Sequence, residues 1–227
     1  MRKMMKFAAL ALFASLLSMC LMLIWPVQVQ AASKKQETLK AYAETLSKSM
    51  IPWRGAFYPV KGKTSLEDSE FGLVYIDKDD IPELLVQARK TCHAEGYLAL
   101  YTYKNGKVVE IDNMQDDFEY YPKKNMVQSI HSGTGGYERY YEIISGTKTK
   151  HYLYSVSEKE SGWDVNYDGK IKGTHYGKAA SSKSWNYKKI TKSKFSKLLK
   201  KRVGKSKSVK PTFYQNTPAN RKAILGN

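Results

Sequence analysis

Tyr97-Leu98-Ala99-Leu100-Tyr101-Thr102-Tyr103-Lys104-Asn105-Gly106-Lys107-Val108-Val109-Glu110-Ile111 is the stretch that decides the fold. Side chains alternate across a strand, so Leu98 and Leu100 share one face while Tyr97, Ala99, Tyr101 and Tyr103 share the other. Asn105-Gly106 follows at once. A type I′ turn needs positive φ at both central positions, and Asn-Gly meets that need best, so an antiparallel hairpin is expected here. Outward from it, Phe71–Ile76, Pro82–Gln87, Met126–His131, Tyr137–Ile144 and Lys150–Val156 read as further strands, with Ser145-Gly146 turning between the last two. Strands follow strands without intervening helices, which predicts an antiparallel meander rather than βαβ units.

Helices are expected at both ends of this run. Leu39, Tyr42, Ala43, Leu46 and Met50 recur at helical spacing over residues 34–50. Ile51-Pro52-Trp53-Arg54-Gly55 ends that helix, and residues 55–70 read as loop. Thr191 caps a second helix running to Val203, with Phe195, Leu198 and Leu199 inward and an Ile190–Phe195 staple. Thr217-Pro218 opens a last short helix and Gly226 closes it. The fold class is α+β, an antiparallel β-meander sheet with an N-terminal helix and C-terminal helices.

The first 31 residues address the chain. Arg2, Lys3 and Lys6 form a basic start, an apolar run extends from Phe7 to Val27, and Val29-Gln30-Ala31 offers small residues at a cleavage site. This predicts a secretory signal peptide over 1–31 and one extracellular domain over 32–227. Residues 7–25 are also long enough for a retained membrane anchor, and that alternative stays open. Cys92 is the single cysteine beyond this segment, so no internal disulfide is expected. An exported chain so poor in cysteine suits a Gram-positive bacterium.

Charge is unevenly placed. The chain has 38 basic and 21 acidic residues, yet residues 170–227 contain 17 basic residues and no acidic one. A block of this kind binds polyanions or solvates a surface. For an exported protein the available polyanions are anionic cell-wall polymer and lipid head groups, and no nucleic acid partner is expected. Lys192, Lys194, Lys197, Lys200, Lys201 and Arg202 are the candidate anion-binding residues.

Two acidic loops are candidate metal sites. Phe71-Gly72-Leu73-Val74-Tyr75-Ile76-Asp77-Lys78-Asp79-Asp80-Ile81-Pro82-Glu83-Leu84-Leu85-Val86-Gln87 resembles the strand–acidic loop–strand element of exported Firmicutes proteins of unknown function. It is more distantly similar to FG-GAP-type calcium loops. Asp77, Asp79, Pro82, Glu83 and Leu84 fall on that pattern, Tyr75 stands where its first Asp is expected, and Asp80 stands where its final Gly is expected. The resemblance implies Ca²⁺ bound by Asp77, Asp79 and Glu83, and Asp80, though off the pattern, offers a carboxylate in partial compensation for the one missing at Tyr75. Losing one carboxylate weakens such a site, because Ca²⁺ takes six to eight oxygens. A solvated hairpin turn is the other reading. Asp164-Val165-Asn166-Tyr167-Asp168-Gly169 likewise places Asp164, Asn166 and Asp168 at EF-hand-like spacing, but His175 stands where the bidentate Glu belongs. An Asx turn between strands is its alternative.

Catalytic signals are sparse. Cys92 and His93 are adjacent, so on a strand they point to opposite faces and do not pair. Ser132-Gly133-Thr134-Gly135-Gly136 lies between strands, whereas a phosphate-binding loop leads into a helix. No catalytic residue is assigned. Seventeen tyrosines could form a stacking face or the half-wet side of a sheet. The sequence thus predicts a non-enzymatic envelope or extracellular binding protein with a basic C-terminal region over 170–227. A calcium-dependent structural module and a wall-polymer hydrolase are the alternatives.

Overall fold

The structure is a computed structural model, and it describes residues 32–54, 61–66, 68–87, 98–114, 117–133, 136–157, 173–183 and 186–226. Two compact units are distinguished, Met1–Thr38 and Leu39–Asn227. In the first, the described residues 32–38 are helical, with Thr38 Oγ1 donating to the Lys34 carbonyl at 2.8 Å. The second carries the α+β fold.

The first helix, α1, covers residues 32–46. Thirteen strands follow among the described residues: β1 Met50–Arg54, β2 Lys61–Ser65, β3 Glu70–Val74, β4 Glu83–Gln87, β5 Leu98–Lys104, β6 Lys107–Met114, β7 Asp117–Tyr121, β8 Met126–Gly133, β9 Gly136–Ser145, β10 Lys148–Ser157, β11 Thr174–Ala179, β12 Tyr187–Lys189 and β13 Tyr214–Gln215. Helix α2, Lys192–Val203, lies between β12 and β13, and α3, Pro218–Leu225, comes last. The expected meander is divided between two sheets, ordered β13-β3-β4-β5-β6 and β12-β11-β10-β9-β8-β7, beside a small β1-β2 hairpin.

Three apolar clusters show how these elements stack. Tyr42, Ala43 and Leu46 of α1 and Leu225 of α3 pack with Phe71, Leu84, Val86, Ala99 and Tyr101 on one face of the five-stranded sheet. Its other face, through Val74, Leu85, Leu98, Leu100 and Ile111, meets Phe118, Val127 and Ile144 of the six-stranded sheet. Beyond that, Met126, Tyr141 and Leu153 meet Phe195 and Val203 of α2. The layers are therefore helices, sheet, sheet, helix. The face assignment read from the alternation of β5 holds, but both faces are covered, so Leu98 to Tyr101 are all buried. Each such fully buried Leu, Phe or Tyr contributes on the order of 2 kcal/mol.

Local sequence explains the turns and caps. Asn105 and Gly106 have φ of 52° and 75°, as a type I′ hairpin requires. Thr191 Oγ1 accepts from Lys194 N at 3.3 Å and Thr217 Oγ1 from Asn220 N at 3.2 Å, so each expected N-cap is formed. Two expectations need correction. The N-terminal helix ends at residue 46, not 50, because Met50 pairs with Ser65 in the β1–β2 hairpin and the Leu46 carbonyl accepts from Asn216 Nδ2 instead of from a further helical turn. Residues 55–70 are not all loop either: β2 pairs with β1, Met50 opposite Ser65, although Lys-Gly-Lys-Thr-Ser has no apolar alternation to announce it.

Two bulges aim side chains. On β6 the register passes from Leu100↔Asp112 to Tyr101↔Glu110, leaving Ile111 as the extra residue. Asp112 consequently falls on the inter-sheet side with Leu100. On β10, Tyr152 is extra between His151↔Glu142 and Leu153↔Tyr141. Tyr152 and Leu153 both join the cluster beneath α2, and Tyr152 Oη donates to the Leu198 carbonyl at 3.2 Å.

The C-terminal segment fastens the first layer. Asn216 Nδ2 donates to the Leu46 carbonyl at 3.0 Å and Ser69 Oγ at 3.2 Å, while Arg221 Nη1 donates to Asn216 Oδ1 at 2.8 Å. Gly72 admits this segment: a Cβ there would lie 2.5 Å from the Thr212 carbonyl oxygen.

Candidate functional site

The acidic loop between β3 and β4 lies beside the turn between β7 and β8. Asp77 Oδ1 accepts from Asp79 N at 2.9 Å and Asp79 Oδ1 from Ile81 N at 2.9 Å, two successive Asx turns. Asp80, at φ 60°, is bonded by the Lys123 ammonium of the opposite turn. That turn is pinned further by Lys123 N donating to the Tyr75 carbonyl at 3.0 Å and Asn125 N to the Ile76 carbonyl at 2.8 Å. Lys123 and Asn125 also lie in the left-handed region, at φ 59° and 52°. Outside Asn and Asp such a conformation is uncommon and costs of order 1 kcal/mol or more.

Glu83 lies at the base of the loop and is only 4% exposed. Its Oε2 accepts from Ile76 N at 3.0 Å. Burial pushes its carboxyl up to about 8, with the Asp77 and Asp79 charges adding to the rise and the Ile76 hydrogen bond opposing it. Asp77, Asp79, Asp80 and Glu83 are thus engaged with backbone donors or Lys123. Among the described residues no three His, Cys, Asp or Glu side chains gather where a metal ion would sit.

Two clefts flank the paired loops. One, of about 460 Å³, is lined by Asp77, Asn125, Ile143, Ile144, Ser145, Gly146, Lys150 and Arg202. The other, of about 660 Å³, is lined by Tyr75, Lys78, Tyr120, Pro122, Lys123, Lys124 and Ser206. Asp77 and Arg202, candidate residues of two unrelated kinds, therefore line one cavity. Arg202 differs from its basic neighbours. Lys192, Lys194, Lys197, Lys200 and Lys201 are exposed and make no ion pair with a described residue, whereas Arg202 is half-buried with its Nε buried and without a hydrogen-bond partner among the described residues. Phe195 and Val203 hold one side of the helix against the sheet, which is why Lys194, Lys197, Lys200 and Lys201 face outward, while Lys192 is exposed at the first turn. Asn125, Ser145 and Lys150 escape sequence reading. Lys123-Lys124-Asn125 announces only a polar turn, and Lys150 only the start of a strand.

A second polar assembly occupies the larger sheet. Tyr140 Oη donates to Glu138 Oε2 at 2.6 Å and Tyr154 Oη to Glu138 Oε1 at 2.9 Å. Tyr154 and Tyr187 stack at 5.2 Å across Gly177, where a Cβ would come within 2.9 Å of the Tyr187 Cβ. His151 Nδ1 lies 2.8 Å from Glu142 Oε1. Asp112, placed by its bulge, is raised by burial and by the Glu142 charge. Burial, and then the Glu138 carboxyl, also raises Tyr140. These groups are largely one another's partners, so the patch braces β9, β10 and β12. Period-2 alternation marked Tyr137–Ile144 as a strand but gave no sign that its polar side would be covered.

Several candidates lie outside the described residues: the segment 1–31, Cys92, His93, Asp164, Asn166 and Asp168. Among the described residues no helix is long and apolar enough to cross a membrane. No family model matches the chain, and no curated protein or solved structure matches it either.

Proposed function

We propose that this chain is an exported, non-enzymatic envelope-binding protein, held to anionic wall polymer or lipid head groups by its basic C-terminal region. The observation that carries this is the outer face of α2. Five exposed lysines stand there without an ion-pair partner among the described residues, in a region that contains no acidic residue from 170 onward. Long lysine side chains keep their ammonium groups hydrated and mobile, so they grip repeated negative charge without a shaped pocket. The basic signal-like start supports export, and the resemblance of the acidic loop to exported proteins agrees with it.

The test is co-sedimentation of the full chain with purified Gram-positive walls, with and without teichoic acid, and with anionic vesicles. Binding should require the anionic component and weaken strongly between low salt and 1 M salt, where the Debye length shrinks to about 3 Å. A variant with Lys192, Lys194, Lys197, Lys200 and Lys201 changed to Gln should remain in the supernatant. Wall binding by that variant equal to the native chain, or no binding by either at low salt, would sink the proposal.

A further inference from the structure

We propose that Asp112, Glu142 and His151 form a proton-operated latch between the two sheets, closed while His151 carries its second proton and loosened when that proton leaves. The latch joins β6, the last strand of the five-stranded sheet, to β9 and β10 of the six-stranded sheet. It is a property of the fold and does not depend on what the chain binds.

Geometry brings the three together. His151 and Glu142 are direct cross-strand partners, and His151 Nδ1 lies 2.8 Å from Glu142 Oε1, with the two side chains only 13% and 4% exposed. Asp112 reaches them from the facing sheet, within hydrogen-bonding distance of the Thr149 side chain and within range of the Glu142 and His151 charges. Both bulges adjoin this cluster. Ile111 immediately precedes Asp112 on β6, and Tyr152 immediately follows His151 on β10. A bulge re-aims the side chains beside it, and here one from each sheet is spent on the same three residues.

The surrounding groups leave the charge balance to this trio. Tyr187 of β12 sets its ring edge-on to His151 at 6.5 Å. Further along the same face, Glu138 accepts from the Tyr140 and Tyr154 hydroxyls. Burial raises all three tyrosines well above their ordinary value, so they stay neutral from pH 5 to 8. His175 and Lys189 share this face but stand beyond Tyr154, opposite Val156 and Gly177. Strand alternation turns Arg139 and Lys150 to the other side of their sheet, and Glu110 to the Tyr101 side of its own. His151 is therefore the cation in contact with the two carboxylates.

The direction of the switch follows. One imidazolium serves two buried carboxylates; without its charge they repel across the space between the sheets, and a buried charge stripped of its partner is strongly destabilising. Asp112 shows the same balance. Burial, then the Glu142 charge, raises its carboxyl, while the Thr149 hydrogen bond and the His151 charge oppose the rise. A folded-state value above the unfolded one means that its share of stability is complete below 3.8 and is lost as the pH climbs through the raised value. Loss of an imidazole proton, which histidines undergo between pH 5 and 8, acts in the same direction. The sheets are latched in acid and loosened as the pH rises.

Amide hydrogen exchange of the full chain tests the latch, each rate being expressed as protection relative to the intrinsic rate at that pH. Protection of β6 and β10 should fall between pH 5 and pH 8, by about tenfold more in the native chain than in Asp112→Asn, the worth of one pKa unit. Asparagine keeps the shape and the Thr149 contact without the charge. Glu83 is present in both proteins, so its own titration cancels in the comparison. Glu142→Gln removes the other carboxylate, should flatten the fall likewise, and replaces Asp112→Asn should that variant not fold. His151→Gln should lower protection at pH 5 by about tenfold, and adding Asp112→Asn to it should restore that protection, which lost packing alone would not do. An equal fall in the native chain and the carboxylate variants, or a double variant as loose as His151→Gln, would overturn the proposal.

Discussion

Changing Glu83 to glutamine should abolish a loss of stability that the native chain suffers as the pH rises. Glu83 is 4% exposed, and burial lifts its carboxyl from 4.5 to about 8. A folded-state value above the unfolded one means that the folded chain holds the proton longer. The stabilisation is therefore complete below about 4.5 and disappears as the pH climbs through about 8. At ~1.4 kcal/mol per pH unit, that separation is worth about 5 kcal/mol at full ionisation and about 3 kcal/mol by pH 7. Glutamine has the same shape, carries no charge, and can still accept from Ile76 N with its amide oxygen. Its buried NH₂ adds an offset that does not vary with pH. Urea denaturation of both proteins at pH 5, 6, 7 and 8 reads the effect. Groups away from Glu83 titrate alike in the two, so the difference in unfolding free energy isolates Glu83 and its coupling to Asp77 and Asp79. It should grow by about 3 to 4 kcal/mol in favour of the variant between pH 5 and pH 8. A difference that stays constant across that range would refute both the burial argument and the assignment of a retained proton.

Two further substitutions probe the C-terminal fastening. Gly72→Ala places a Cβ 2.5 Å from the Thr212 carbonyl oxygen, which is backbone and cannot swing aside. It should cost about 2–3 kcal/mol and speed hydrogen exchange at Tyr214, and an unchanged melting midpoint would contradict the close approach. Asn216→Ala strips donors from the Leu46 carbonyl and Ser69 Oγ and the acceptor from Arg221. A loss of about 2 kcal/mol in chemical denaturation is expected, and a loss under 0.5 kcal/mol would show that water replaces the amide without penalty.

Local physics made much of this fold legible. Asn105-Gly106 forced its hairpin, the threonine caps opened α2 and α3, Gly226 closed α3, and alternation sorted the two faces of β5. Strands without an apolar rhythm were missed. Lys61–Ser65 has none, and Thr174–Ala179 has glycine where a tyrosine must pass. Partnership was hidden for a deeper reason. Periodicity reports which side of a strand is buried, not which strand lies against it, so nothing announced that the meander divides after β6. The site followed the same rule. Asp77 and Arg202 were each visible by residue type, but their shared cavity depends on Asn125, a turn residue whose role is set by hydrogen bonds to two sheets.

The pairing of β13 with β3 has a consequence for how the chain acquires its structure. Gln215 and Glu70 bond across 145 positions, and Asn216 reaches Leu46 across 170. Loop-closure entropy on that scale is paid before any of these contacts forms, which slows folding of high-contact-order chains. A chain emerging N-terminus first would hold the free edge of β3, and the part of the α1–sheet cluster that Leu225 completes, uncovered until residues 214–225 arrived. Residues 214–216 thus end the interval in which that edge is open, and a chaperone that retained them would hold the five-stranded sheet unfinished.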